Sequence, residues 1–164
     1  MAPIQPRIRP YENRDAAAVV GLSLRAWAPV FPSIERSLGS AIYEQLYPNG
    51  WRESQRQAVE AVLTAEEKRV WVAEAEADAV GFVAVEIHPE SNMGEIYMLA
   101  VDPDYQGGGL GSALTEFALA RIKEAGMKVA MVETGSDPGH AAARRTYEKA
   151  GYLHVPVARY FKEL

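Results

Sequence analysis

The residues with chemical potential in this chain lie mostly between positions 95 and 152. Glu95 opens an apolar run, Glu95-Ile96-Tyr97-Met98-Leu99-Ala100-Val101, that ends at Asp102-Pro103. Beside apolar Ile96 and Met98, a carboxylate at that strand start is partly desolvated, which raises its affinity for a proton. Gln106-Gly107-Gly108-Gly109-Leu110-Gly111 follows, and Ser112 comes next. A glycine-rich turn between a strand and a helix leaves backbone N–H groups unpaired, and the helix dipole adds positive charge there. Without Cβ atoms in the way, such a turn is an anion cradle suited to a phosphate or pyrophosphate. Its bland alternative is a sharp connection and nothing more. Tyr147 offers a phenol that still holds its proton near neutral pH, or else an aromatic ring packed on a sheet beside Ala143 and Ala150.

The spacing excludes two common phosphate loops. No lysine follows Gly111, so the nucleoside-triphosphate loop is ruled out. Ser112 stands where the dinucleotide fingerprint needs its third glycine, and the turn lies two-thirds of the way along the chain rather than in a first βαβ unit.

The elements that must position these groups follow from periodicity. Residues 7–10 read as a strand and 15–28 as a helix. A second helix is expected over 33–46 and a third over 51–65. A strand pair follows at 69–74 and 79–87, then a strand over 95–101. Leu110, Ala113, Leu114, Phe117, Ala118 and Ile122 recur at helical steps, and Gly126 ends that helix. Residues 129–134 read as a strand and 140–150 as a helix stopped by Gly151. Residues 152–157 and 158–162 are expected to form two last strands. The order predicts an α/β fold: a mixed, mostly antiparallel central sheet of six to seven strands with helices on both faces, in one domain over 1–164.

Composition narrows the function classes. A formal net charge of −5 over 164 residues, with no basic stripe, argues against a general nucleic-acid binder and favours cationic partners. No apolar run reaches membrane-spanning length, and residues 1–7 lack the apolar core of a signal peptide. There is no cysteine, hence no disulfide and no thiolate metal ligand, and His88, His140 and His154 show no metal spacing. A cytoplasmic protein with neither metal nor membrane partner is expected.

The pattern Gln-x-x-Gly-x-Gly after a strand ending in Val-Asp-Pro resembles the acyl-CoA loop of the GNAT superfamily of N-acetyltransferases. Glu95 to Val101 resembles that family's fourth strand, and Tyr147-Glu148-Lys149-Ala150-Gly151-Tyr152 resembles its later Tyr-Glu-Lys-x-Gly segment. Ile8-Arg9-Pro10, followed by Asp15, resembles its start, whereas residues 30–66 match nothing in it. The resemblance implies a GNAT-like fold and transfer of an acetyl group from acetyl-CoA to a primary amine. With no cysteine to hold the acyl group, direct attack in a ternary complex is the simplest route. The resemblance implies that Glu95 is the base, with Glu133 its rival, and that Tyr147 is the acid beside the CoA sulfur. Leu99, Ala100 and Val101 would meet the pantetheine arm through their backbones. Gln106, Gly107, Gly108, Gly109, Leu110, Gly111 and Ser112 would hold the pyrophosphate, with His140, Ala143 and Tyr147 nearby. His140 departs from the family, which often has asparagine there. A non-catalytic acyl-CoA-binding or sensing module is the rival reading. The acceptor is open between a small amine and a peptide amine. The resemblance implies that the region of Trp27, Phe31, Tyr43, Tyr47 and Trp51 helps build an acceptor pocket, whereas core packing or a homodimer face is the better reading for most of these residues.

Overall fold

The computed structural model describes residues 6–164. Residues 1–5 lie outside it, and with them the start of the expected domain. Its elements are β1 (Arg7–Pro10), α1 (Ala16–Trp27), α2 (Val30–Leu38), α3 (Ser40–Leu46), α4 (Trp51–Thr64), β2 (Lys68–Ala75), β3 (Asp78–His88), β4 (Met93–Val101), α5 (Leu110–Glu124), β5 (Val129–Val132) and α6 (Ala141–Lys149). One mixed sheet runs β1-β2-β3-β4-β5, antiparallel throughout except that β4 and β5 are parallel. Among the described residues, no single helix is long and apolar enough to cross a membrane.

Two expectations are corrected. Among the described residues the sheet has five strands, not six to seven, because residues 152–164 pair with nothing. Leu153, Val155 and Val157 alternate as a strand would, but all three are exposed, and Pro156 between them has no N–H for a ladder. Strand propensity without a partner strand does not make a strand. The single helix expected over 33–46 is two helices, divided at Gly39, whose φ of +79° no helical residue adopts.

Alternation along the strands supplies a core on each face. Ala73, Val83, Val85, Ile96 and Val101 pack beneath Leu110, Leu114, Ala118 and Ile122 of α5. Val72, Phe82 and Ala100 pack under Val19 and Leu22 of α1 and Val59 of α4. Helices therefore cover both faces. The contact of α5 with the sheet is tightest at Gly94, where a Cβ would lie 2.4 Å from Ile122 Cγ2 and 3.0 Å from its Cβ. β-branched Ile122 has little rotamer freedom with which to yield.

The first strand is tied down by charge. Arg9 is buried and forms a bidentate pair with Asp15, both bonds 2.9 Å, while its Nε donates to Glu74 on β2 at 2.7 Å. The hydrogen bonds from Arg9 outweigh burial and hold the Asp15 carboxyl below the usual carboxylate range.

Gly94→Ala is expected to destabilise the fold by about 1–3 kcal/mol in denaturant unfolding, the range for overpacking a rigid contact. Asp15→Asn is expected to cost roughly 2 kcal/mol or more near neutral pH by leaving buried Arg9 short of a partner. Because folding depresses the Asp15 pKa, its contribution is present above the ordinary carboxylate range and is lost as pH falls through the depressed value. The stability gap between the parent and Asp15→Asn should therefore close in acid.

Candidate active site at the parting of two strands

Strands β4 and β5 pair from Met93↔Val129 to Ile96↔Val132, and there β5 stops. β4 runs on for five residues to Val101. At the same point its register with β3 jumps, from Val85↔Ile96 to Ala84↔Met98, so Tyr97 is the extra residue of a β-bulge. The bulge reverses the phase of the strand. Ile96 faces the α5 side, Met98 and Ala100 face the α1/α4 side, and Leu99 and Val101 return to the α5 side.

The backbone of β4 beyond the bulge has one open edge. The Asp102 amide donates to Val80 on β3 at 2.9 Å, so by alternation Ala100 also turns its N–H and C=O to β3. Leu99 and Val101 turn theirs to the side that β5 has left. The Val101 carbonyl accepts a bond of 3.0 Å from Gln106 Nε2, so the Gln106 side chain is spent on the strand end. Of the three expected backbone positions, Leu99 and Val101 thus face the opening, while Ala100 does not.

The glycine turn delivers the chain from β4 into α5. Asp102 accepts from the Asp104 amide at 3.0 Å and is paired with Arg25 of α1. Gly107 and Gly109 have φ of +78° and +87°, which favour glycine strongly. Gly109 is the N-cap of α5, and the Ala113 amide donates to the Gly109 carbonyl. The amides of Leu110, Gly111 and Ser112 therefore precede the helical ladder and have no intrahelical acceptor. Gly111 lies against Val101 Cγ2, at 3.9 Å from an added Cβ, so this set of donors sits directly off the end of β4.

Tyr147 lies on α6, one helical face with His140 and Ala143. Burial pushes its phenol up to about 12, so it carries its proton at neutral pH. Tyr152 meets it edge-on at a centroid distance of 5.9 Å and is likewise pushed up to about 12, chiefly by burial. The loop before α6 is knit by Asp137. Its carboxylate accepts from Ser33 Oγ of α2 at 2.6 Å and from the Gly139 amide at 3.0 Å, and lies 2.5 Å from His140 Nδ1. Burial works to raise the Asp137 pKa, but the bonds from Ser33 and His140 leave it lowered. Arg144 donates to the carbonyls of Gly135 and Asp137, so it is committed to this loop rather than to a phosphate or to water.

The two candidate bases have different settings. Glu95 is mostly buried at the paired end of β4, with Oε2 3.0 Å from His88 Nε2. Glu133, just past the end of β5, is open to solvent, with Arg159 at 3.9 Å. The roles of Ser33, Asp137, His88 and the Tyr97 bulge were not read from the sequence. Only Asp137 carried a local signal there, since Asp-Pro before a helix initiates a turn.

Comparison with known proteins places the chain and its fold. Residues 38–152 match the family model described as the acetyltransferase (GNAT) family. Mycothiol acetyltransferase of Streptomyces coelicolor is 37% identical over 83 residues, covering 51% of this chain but 26% of that protein. The chain thus spans about a quarter of that relative's length. The ribosomal-protein-S18-alanine N-acetyltransferase of Escherichia coli superposes with a TM-score of 0.67 at 21% identity, covering 92% of this chain and 79% of the other. An aminoglycoside N-acetyltransferase in complex with CoA gives 0.63 at 14% identity, covering 99% of both.

Ser33→Ala is expected to cost about 1–2 kcal/mol in thermal or denaturant unfolding, because Asp137 and the Gly139 amide each lose a partly buried partner.

Proposed function

Given that this chain belongs to the acetyltransferase (GNAT) family, we propose that it moves an acetyl group from acetyl-CoA to a primary amine, by direct attack in a ternary complex and as a single domain over 1–164. The observation that carries the proposal is the adjacency of an open strand edge and a helix N-terminus with free amides, both created where β4 leaves β5.

Each end of that opening fits one part of the donor. The amides of Leu110, Gly111 and Ser112, with the open glycine turn Gly107–Gly109, suit a pyrophosphate. The unpaired N–H and C=O of Leu99, with the N–H of Val101, suit the amide groups of a pantetheine arm lying as a missing strand. The Leu99 amide is also the natural donor to the thioester carbonyl, where negative charge grows as the amine attacks. Ala143 and His140 share the helical face of Tyr147.

The proton inventory closes on two side chains. An acceptor arrives as an ammonium, and Glu95 takes one proton to free the lone pair. The amine nitrogen forms a bond to the acetyl carbon as the carbon–sulfur bond breaks. Tyr147 gives its proton to the leaving thiolate, and the second nitrogen proton returns to the Tyr147 phenolate. Tyr147 suits this role because burial keeps its phenol protonated. Glu86, Glu90 and Glu95 collect beside the opening and suit a cationic acceptor. The similar proteins are named a mycothiol acetyltransferase, a ribosomal-protein-S18-alanine N-acetyltransferase and an aminoglycoside N-acetyltransferase, so acceptors of both the small-amine and the peptide-amine kind are represented among them. A cytoplasmic setting is part of the proposal.

Calorimetric titration with acetyl-CoA, with NADH and ATP as controls, tests the cradle. Selective binding is expected, and Gly109→Trp should abolish it. Thiol release with glucosamine, kanamycin and alaninamide then tests transfer. Glu95→Gln and Tyr147→Phe should each lower kcat by roughly a hundredfold, within the range for general acid–base groups. Unchanged turnover in both variants would remove these assignments, and failure to bind acetyl-CoA would remove the reading altogether.

A further inference from the structure

Glu95 does not stand alone on its strand. Its cross-strand partner in the β3–β4 register is Glu86, another carboxylate. Two like charges directly opposite one another repel, and each must be compensated for the pair to persist. Lys68, on β2 and opposite Glu86, supplies one cation at 2.5 Å from Glu86 Oε2. Burial works to lower the Lys68 pKa, but Glu86 more than offsets this and leaves it raised, so that compensation is permanent at any working pH. Tyr97 covers the ammonium, with its ring centroid 4.1 Å away, and Glu67 lies 3.6 Å from it. Among the described residues, the other carboxylate has no fixed cation. It has His88, the diagonal neighbour on the same face, at 3.0 Å.

Ligand atoms of Glu86, His88 and Glu95 lie within 4.8 Å of one another, close enough for a metal ion. The Lys68 ammonium already neutralises Glu86, so a divalent cation would have to displace it. The trio makes better sense as a proton path. Glu95 and His88 are both largely covered, with side-chain exposures of 19% and 24%. His88 Nδ1 points outward to Glu90, whose side chain is 75% exposed and 3.7 Å away.

We propose that His88 is a positioning residue and proton relay for Glu95, carrying the acceptor's proton from the carboxyl to solvent. The inference rests on the reading of Glu95 as base. Protonated Glu95 gives its proton to the free Nε2 of the Nδ1–H tautomer of His88, the imidazolium releases its Nδ1 proton to water beside Glu90, and the ring resets to that tautomer by exchange with water before the next turnover. Glu95 returns to carboxylate for the next acceptor, and no other reactant is needed. The titratable and charged groups that face this pair are Glu86 and Lys68 across the sheet, Glu67 and Tyr97 around Lys68, and Glu90 at the exit.

The test compares the full-length parent with His88→Ala, His88→Gln and Glu95→Gln. By NMR of labelled histidine, the His88 Nε2 signal should change in Glu95→Gln, because its hydrogen-bonded carboxylate partner is lost. With the fastest acceptor among glucosamine, kanamycin and alaninamide, His88→Ala should lose about tenfold or more in kcat while binding acetyl-CoA as the parent does. Added imidazole should restore His88→Ala. His88→Gln keeps a hydrogen-bond donor for Glu95 but cannot pass a proton, so it should stay slow. Parent-like turnover in His88→Gln would overturn the relay and leave only positioning. An unmoved His88 Nε2 signal, or parent-like His88→Ala from about pH 6 to 9 while Glu95→Gln is inactive, would overturn the whole inference and spare Glu95 as base. A fully active Glu95→Gln would instead remove the base reading beneath it.

Discussion

The site depends on one event in the backbone: β4 and β5 cease to pair after Ile96 and Val132. A parallel ladder that continued to Val101 would satisfy the amides of Leu99 and Val101 internally and leave nothing for a ligand to complete. Because β5 ends, a row of strand hydrogen-bonding groups is exposed beside the first turn of α5. The Tyr97 bulge falls at the same place. It shifts the phase of β4 by one residue, which keeps Leu99 and Val101 in the core beneath α5 while Glu95 remains on the opposite face. An unbulged strand that placed Ile96 on the α5 face would turn Leu99 and Val101 away from it.

The electrostatics around the opening follow a division of labour between faces. The α5 side presents unpaired amides and suits anionic groups, whereas the α1/α4 side gathers Glu86 and Glu95 and suits cationic ones. Neither set of charges could be concentrated without local compensation, and both have it. Asp102 is tied to Arg25 of α1 at the entrance to the glycine turn, and Lys68 is buried against Glu86. Asp137 links α2 to the loop before α6 through Ser33 and Gly139, which fixes that loop to the helical layer.

Much of this was legible in the sequence, and the rest had specific reasons for being hidden. The glycine turn, the strand before it and the helix after it were marked by strong periodicity and by glycines at positions that need positive φ. The bounds of α1 and α4 lie within a residue of those read from periodicity, and Gly126 follows the end of α5 as read. The bulge was hidden because the residues Ile96 to Val101 read as a continuous apolar run, which carries no phase to reveal a shift. The break at Gly39 was overridden by the four-residue recurrence of Ile34, Leu38, Ile42 and Leu46, which runs through both helices. The tail read as strands because its alternation was real, but alternation does not supply a neighbour. His88 and Ser33 were invisible because their partners, Glu95 and Asp137, are reached only through the register of β3 on β4 and the docking of α2.

Helix α5 joins the two ends of the opening. At its first turn Gly111 rests on Val101, and near its last turn Ile122 is seated on Gly94, the residue before Glu95. Its axis from Leu110 to Ile122 spans about 18 Å. The helix is thus a ruler: it sets how far the free amides stand from the carboxylate, although the residues between touch neither. One residue added or removed within it would slide one end by about 1.5 Å and turn it by roughly 100° relative to the other. The length of α5 is therefore constrained more tightly than the identity of its solvent-facing residues, and that constraint is one of counting rather than of chemistry.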